Sequence, residues 1–317
     1  MSGTMFRRGL LALVAFVGLA GGLAGGMAGG AIAQQAAQST AKPQGFPTAE
    51  AAANAFTEAV RKMDTKSLGE LLGPEWREFV PATSEQLQAR RAAYLAAWDA
   101  AHEVKISGDK ATVVAGKAGW TLPIPIVKDG AEWRFDAVAG WREMRLRQIG
   151  HDETAVIQTM LAIVDAQRDY AAMDPMKTGS PVYARRLLSS PGSKNGLYWE
   201  TKPGEPQSPL GPAVARAQVD GNSPDGHYGY YFRLLYAQGP AAPGGARDYI
   251  VNGRMIGGFA AIAWPVRYGV TGVMTFIVDY KGEVYQQDLG PETAQRAGMM
   301  TTFNPDKGWV KADMTPP

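Results

Sequence analysis

Residues 254–279 read RMIGGFAAIAWPVRYGVTGVMTFIVD, and this stretch decides how the second half of the chain is read. RMIGGFAAIAW (254–264) and VMTFIVD (273–279) are short apolar runs set apart by Pro265 and by glycines, the punctuation of strands separated by turns. Upstream lie HYGYYFRLLYA (227–237) and DYIV (248–251); downstream lies EVYQQDL (283–289). Asn252-Gly253 and Lys281-Gly282 sit between successive runs, and tight hairpins favour such pairs because they accept positive φ. The expectation is an antiparallel sheet.

A helix precedes that sheet. Residues 140–173 carry Val156, Ile157, Met160, Leu161, Ile163 and Val164 on one broad apolar face. Gly150 predicts a break, with Asp152 capping the second half, and Asp174-Pro175 predicts the end. Residues 174–227 are rich in Pro, Gly and Ser, with short helices expected at 182–188 and 210–218.

The first block has its own pattern. Thr48 caps a helix whose apolar stripe is Ala49, Ala52, Phe56, Val60 and Met63. A second helix over 66–72 stops at Gly73-Pro74, and a third starts at Ser84. VKIS and ATVVAG flank Gly108-Asp109, and IPIV and EWRF flank Lys128-Asp129-Gly130, so hairpins follow the helices. The fold class is α+β: N-terminal helices with a curved antiparallel meander, then a long helix packed on a second antiparallel sheet. The predicted organisation is a signal peptide over 1–33, a flexible leader over 34–45, an N-terminal domain over 46–149 and a C-terminal domain over 150–317.

Arg7 and Arg8 followed by GLLALVAF, with Ala31-Ile32-Ala33 as a small-x-small cleavage site, predict export and a mature start at Gln34. Arg7-Arg8-Gly9-Leu10-Leu11 partly matches a twin-arginine signal, so the route, Sec or twin-arginine, stays open. The expected location is periplasmic or otherwise extracytoplasmic, with no membrane span after cleavage.

The 317 residues carry 32 Lys+Arg against 30 Asp+Glu, and this balance argues against a nucleic-acid partner. Zero Cys excludes a disulfide framework, a thiolate metal site and a cysteine nucleophile. Only three His are present, so no metal site and no cofactor are expected. Gly-x-Ser-x-Gly, His-Glu-x-x-His, dinucleotide-fingerprint and P-loop patterns are absent from the sequence, and no catalytic residue is assigned.

Six residues stand out for binding. On a strand starting at His227, the side chains of His227, Tyr231 and Arg233 share one face. An imidazole, a phenol and a guanidinium there suit an anionic or sugar ligand; the alternative is a polar sheet face behind an aromatic core face. Asp248 and Arg254 flank the Asn252-Gly253 turn and suit a binding rim. Trp199, in a Gly/Pro-rich loop, either clamps a ligand or anchors the loop. Asp165, Arg168 and Asp169 on the long helix read as a solvated face or ion pair.

LAIVDAQRDYA (161–171), SSPGSKNGLYW (189–199), HYGYYFRLL, GPAAPGGARDYIVNGRMIGGFAAIAWP (239–265) and GVMTFIVDYKGEVYQQDLGP (272–291) resemble the signatures of a bacterial exported family of unknown function, domain-of-unknown-function family 2950. That resemblance implies export and brings no activity, substrate or catalytic residue. The helix with Asp165-Ala166-Gln167-Arg168 followed by the second sheet is also similar to the globular heads of type IV pilins and pseudopilins.

The sequence therefore predicts a non-enzymatic envelope module that binds an envelope protein or a small ligand. The alternatives are a hydrolase using carboxylates or Tyr/His, or a small-ligand carrier.

Overall fold

The computed structural model describes residues 42–73, 76–77, 84–219 and 223–313. The expected cleavage site at Ala31, Ala33 and Gln34 lies outside them. The fold is α+β, with helices and several antiparallel sheets. The chain forms two compact units: the described residues up to Leu95 with Lys128–Phe135, and Ala96–Val127 with the described residues from Asp136 onward.

The first unit is helical. Thr48 caps α1 (Ala49–Lys62), its side chain accepting from the Ala51 amide at 3.0 Å. Met63 closes α1 in the left-handed region, φ 54. Asp64 caps α2 (Thr65–Leu72), and α3 (Ser84–Ala100) follows. Phe56 is the unit's aromatic centre, its ring 5.3 Å from Phe135 and 5.9 Å from Tyr94.

The second unit begins with β1 (His102–Ser107) and β2 (Lys110–Ala115), paired antiparallel from His102 opposite Ala115 to Ser107 opposite Lys110. The turn between them is the one Gly108-Asp109 predicts; Gly108 has φ 59. Next comes β3 (Trp120–Thr121); β4 (Ile126–Asp129) runs from this unit into the first, and β5 (Glu132–Phe135) belongs to the first. His102 opens β1 and stacks on Trp98 at 3.9 Å, with Nδ1 2.9 Å from the Trp98 carbonyl.

Helix α4 (Ala137–Met173) is continuous, which corrects the expected break at Gly150. A helix-interior glycine costs only about 1 kcal/mol relative to alanine, and packing of the helix face outweighs that. Asp152 therefore caps nothing and instead accepts from Gln148 Nε2 at 2.8 Å. The end at Asp174 is as expected, with φ 42 there. The residue 150 expected to open the second domain lies inside this helix.

The main sheet contains β6 (Tyr230–Leu235), β11 (Ala260–Pro265), β12 (Met274–Asp279), β13 (Val284–Asp288) and β15 (Val310–Lys311), in the order β15-β13-β12-β11-β6, all antiparallel. Register assigns its faces. Phe232 lies opposite Ala263, which lies opposite Phe276, so these share a face with Tyr230. That face meets α4, because the Tyr230 hydroxyl reaches Glu153. Ala261 and Ala263 are the β11 residues on the helix side, and their small size lets α4 approach closely. Tyr231, Arg233 and Trp264 lie on the other face.

Short strands complete the unit: β7 (Ala237–Gln238) and β8 (Arg247–Asp248) pair antiparallel, β9 (Ile250–Val251) and β10 (Arg254–Met255) form the hairpin about Asn252-Gly253, and β14 (Thr302–Phe303) runs parallel to β7. The run 254–264 is thus two strands. Gly257 and Gly258 part them because the backbone there passes against the Asp248 carbonyl and the Tyr249 ring, where a Cβ would collide. Two short helices, α5 (Pro212–Arg216) and α6 (Thr293–Met299), lie outside the sheet. No helix of the described residues is long and apolar enough to cross a membrane.

Candidate functional site

The site is a cleft of about 790 Å³ in the second unit, and the segment after α4 builds its wall. Residues 182–188 are not the expected helix. They run extended, with Tyr183 bridged to Met255 and Leu188 to Tyr198. Gln167, fully buried on α4, explains the difference. Its Nε2 donates to the Ala184 carbonyl at 2.9 Å and its Oε1 accepts the Ala184 amide at 2.8 Å, replacing the bonds a helix would have made. Gln167 is the polar residue of the LAIVDAQRDYA motif that faces inward. Arg168 pairs with Asp165 at 3.1 Å on the solvent side, as expected.

The SSPGSKNG motif shapes the next part of the wall. Ser189 Oγ accepts the Gly196 amide at 2.9 Å, and Asn195 Oδ1 accepts the Ser190 amide at 2.9 Å. Gly192, φ 72, turns the loop. The Tyr170 hydroxyl donates to the Lys194 carbonyl at 2.7 Å and ties the loop to α4. Burial, then the nearby Asp174 carboxylate, pushes that phenol up to about 12, so it stays protonated.

Four arginines line the cleft: Arg185, Arg186, Arg233 and Arg254. Tyr170, Tyr183 and Tyr236 supply rings, and Thr178, Ser189, Ser190, Asn195 and Gln218 supply neutral polar groups. Among the described residues, no Asp, Glu or His lines it. Arg185, Arg186 and Arg254 are exposed and make only long contacts, to the Gly253 carbonyl at 3.3 Å, Ser190 Oγ at 3.4 Å and the Thr178 carbonyl at 3.4 Å. Asp174 is the carboxylate whose charge Arg254 feels. Amide bonds from Thr178 and Gly179 hold that carboxyl below the usual range, helped by the Thr178 hydroxyl and the Arg254 charge. Its two oxygens are taken by Thr178 and Gly179.

Arg233 has different work. Its guanidinium donates to the carbonyls of Ala297 at 2.8 Å, Gly298 at 3.0 Å and Met300, and so closes the C-terminal end of α6. It also lies 5.7 Å from the Trp264 ring, and its Nε is buried without a partner.

The structure separates the other sequence-predicted residues. Tyr228 has φ 51 and Gly229 φ 71, so the strand starts at Tyr230 and His227 sits in the turn before it. His227 pairs with Tyr230 through two backbone bonds, and its ring lies 4.3 Å from Tyr228 and 6.4 Å from Phe232. The shared face expected for His227, Tyr231 and Arg233 therefore reduces to Tyr231 and Arg233. The Tyr231 hydroxyl donates to the Pro224 carbonyl at 2.9 Å. Asp248 is exposed on β8 and does not line the cleft. Trp199 is only 7% exposed and packs edge-on against Tyr170 at 6.4 Å, behind the wall.

Of the six residues, only Arg233 and Arg254 line the cleft. Arg185, Arg186 and the Ser189–Asn195 loop were missed, because residues 182–188 were expected to be a short helix and their partners are distant in sequence. The signal was their position in a Pro/Gly-rich stretch leading into SSPGSKNG. Among the described residues, no group of three His, Asp or Glu is placed to hold a metal ion.

The family model described as "Protein of unknown function (DUF2950)" matches residues 43–312, and the chain belongs to that family. No curated protein and no solved structure matches it.

Proposed function

We propose that this member of the DUF2950 family is an exported, non-enzymatic binding module whose ligand occupies the cleft beside residues 182–190. One observation carries the reading: the cleft offers guanidinium, hydroxyl and amide groups, but no described carboxylate or imidazole to move a proton. Tyr170 is held protonated and cannot serve as a base near neutral pH. The volume suits a small molecule or an exposed piece of a larger envelope component.

Arg7, Arg8, the apolar run after them and Ala31-Ile32-Ala33 support the proposal of export to the periplasm or beyond. The likeness to pilin heads rests on element order and adds no assembly role to this reading.

Site-specific photo-crosslinking tests it. A photoreactive side chain at Met176, 47% exposed on the cleft, should form an adduct with a component of the cell envelope, read by intact mass. The same group at Ile106, 52% exposed on β1, should not. Equal labelling at both positions, or none at Met176, contradicts the reading.

A further inference from the structure

Three cationic side chains reach the cleft without an ion-pair partner among the described residues. Arg185, Arg186 and Arg254 each contact only a carbonyl or hydroxyl oxygen, at 3.3–3.4 Å. Several other arginines do have a carboxylate partner: Arg147 with Glu143 at 2.9 Å, Arg168 with Asp165 at 3.1 Å, Arg134 with Asp129 at 3.1 Å. The formal net charge of the whole chain is only +2, so this clustering is local and does not reflect a generally basic protein.

The chain brings the three together by long-range contacts. Arg185 and Arg186 lie on the extended segment that Gln167 holds through Ala184. Arg254 comes from the β9–β10 hairpin, which the Tyr183–Met255 bridge fixes against that segment. Arg185 touches the carbonyl of Gly253, the residue before Arg254. Like charges so placed repel, and a bound anion relieves that repulsion while each guanidinium gains charge-assisted hydrogen bonds. Asp174, the carboxylate that feels the Arg254 charge, has both oxygens engaged by Thr178 and Gly179 and leaves room for an outside acceptor.

We infer that the cleft takes a ligand bearing two or more oxyanion groups, phosphate or carboxylate, with Arg185, Arg186 and Arg254 as its anchors. A monoanion brings one negative charge against three guanidiniums, and two or more oxyanion groups match them better. The neutral donors of the wall suit the uncharged remainder of such a ligand: Ser190 Oγ contacts Arg186, and Asn195 Nδ2 donates to Ser190 Oγ at 3.3 Å. Arg233 is not an anchor, because its two terminal nitrogens bond carbonyls at the end of α6 and its Nε is buried. The assignment rests on the binding reading above and narrows it to one chemistry.

Titration calorimetry on residues 34–317 tests it with pyrophosphate and citrate as polyanion probes, inorganic phosphate as the smaller comparator and trehalose as the neutral one. A lipid source is separated from a soluble one by anionic phosphatidylglycerol vesicles against phosphatidylcholine vesicles. Saturable binding of at least one polyanion is expected, stronger than that of phosphate and weakening as salt is raised. Arg254→Gln and Arg185→Gln should each weaken it about tenfold, the loss of one charge-assisted contact. Both residues are surface-exposed, and unchanged melting of the variants will show that the fold is intact. Binding confined to the anionic vesicles, and lost in the same variants, identifies the polyanion as a lipid headgroup and supports the inference. Binding of trehalose alone, polyanion binding indifferent to both variants, or silence from every anionic probe overturns it. In those cases, a Met176 adduct would still stand for the broader reading, whereas its absence would remove both.

Discussion

Glu153 and Tyr230, 77 positions apart, are joined where α4 crosses the start of β6. Glu153 Oε1 accepts the Tyr230 hydroxyl at 3.2 Å and also the amides of Val273 and Met274 at 2.8 and 2.9 Å. One carboxylate oxygen thus stitches the helix to two strands and satisfies the amides that lead into β12. The Tyr230 phenol, buried and facing this carboxylate, is pushed far above its ordinary value and remains a donor. Glu153→Ala should cost about 2–3 kcal/mol, because two amides lose their acceptor. Glu153→Gln keeps an oxygen in place and should cost about 1 kcal/mol. Urea melts of the two variants check the ranking.

Gln167 holds the cleft wall in the same manner. Gln167→Leu leaves the Ala184 amide and carbonyl buried and unpaired, and about 2–4 kcal/mol should be lost. Because the contact fixes residues 182–188, hydrogen exchange at Ala184 should speed up more than exchange across β11. Uniform acceleration would mean that Gln167 supports the whole unit and not the wall.

Trp199 is an anchor for the loop, wedged against Tyr170 with the Lys194 ammonium 5.4 Å from its ring. Trp199→Ala should cost about 3–5 kcal/mol, the range for large buried side chains. Its Nε1 is buried without a partner, so Trp199→Phe removes an unsatisfied donor and should cost only about 1–2 kcal/mol. Melts unaffected by Trp199→Ala would contradict a structural role.

His227 should impose an acid-side loss of stability. Burial lowers its imidazole below the ordinary histidine range. The unfolded chain then binds the proton more readily than the folded one, so stability is full above the unfolded value and falls as pH drops through it towards the lower folded value. The difference between the wild type and His227→Phe, measured from pH 8 down to pH 5, should reveal this component. A difference that stays flat would contradict it.

Processing has its own readout. Osmotic shock should release a protein whose intact mass begins at or near Gln34. Recovery of residues 1–33 on a membrane-bound chain would contradict export by cleavage.

Local rules carried most of the fold. Gly108-Asp109, Asn252-Gly253 and Lys281-Gly282 all sit at reversals, because their conformational demands are set within a few residues. The apolar face from Val156 to Val164 marked the helix side of the core. What sequence reasoning missed depended on distant partners. Gly150 stays helical because burial of Ile149 and of the face from Val156 to Val164 outweighs its cost, and 182–188 is not helical because Gln167 and Met255 claim its backbone. The cleft was hidden for the same reason. Arg185 and Arg254 are far apart in sequence and meet only after Tyr183 has paired with Met255. The His227 strand failed on one local detail, the positive φ of Tyr228 and Gly229.

The central claim is that the arginine-lined cleft holds an anionic ligand in the cell. Native mass spectrometry of the protein purified gently from its own envelope tests this most directly. The account predicts a retained non-covalent mass that is stripped by high salt and absent from the Arg185→Gln/Arg254→Gln double variant. A spectrum showing only the bare chain, or a retained mass that survives in the double variant, would contradict it.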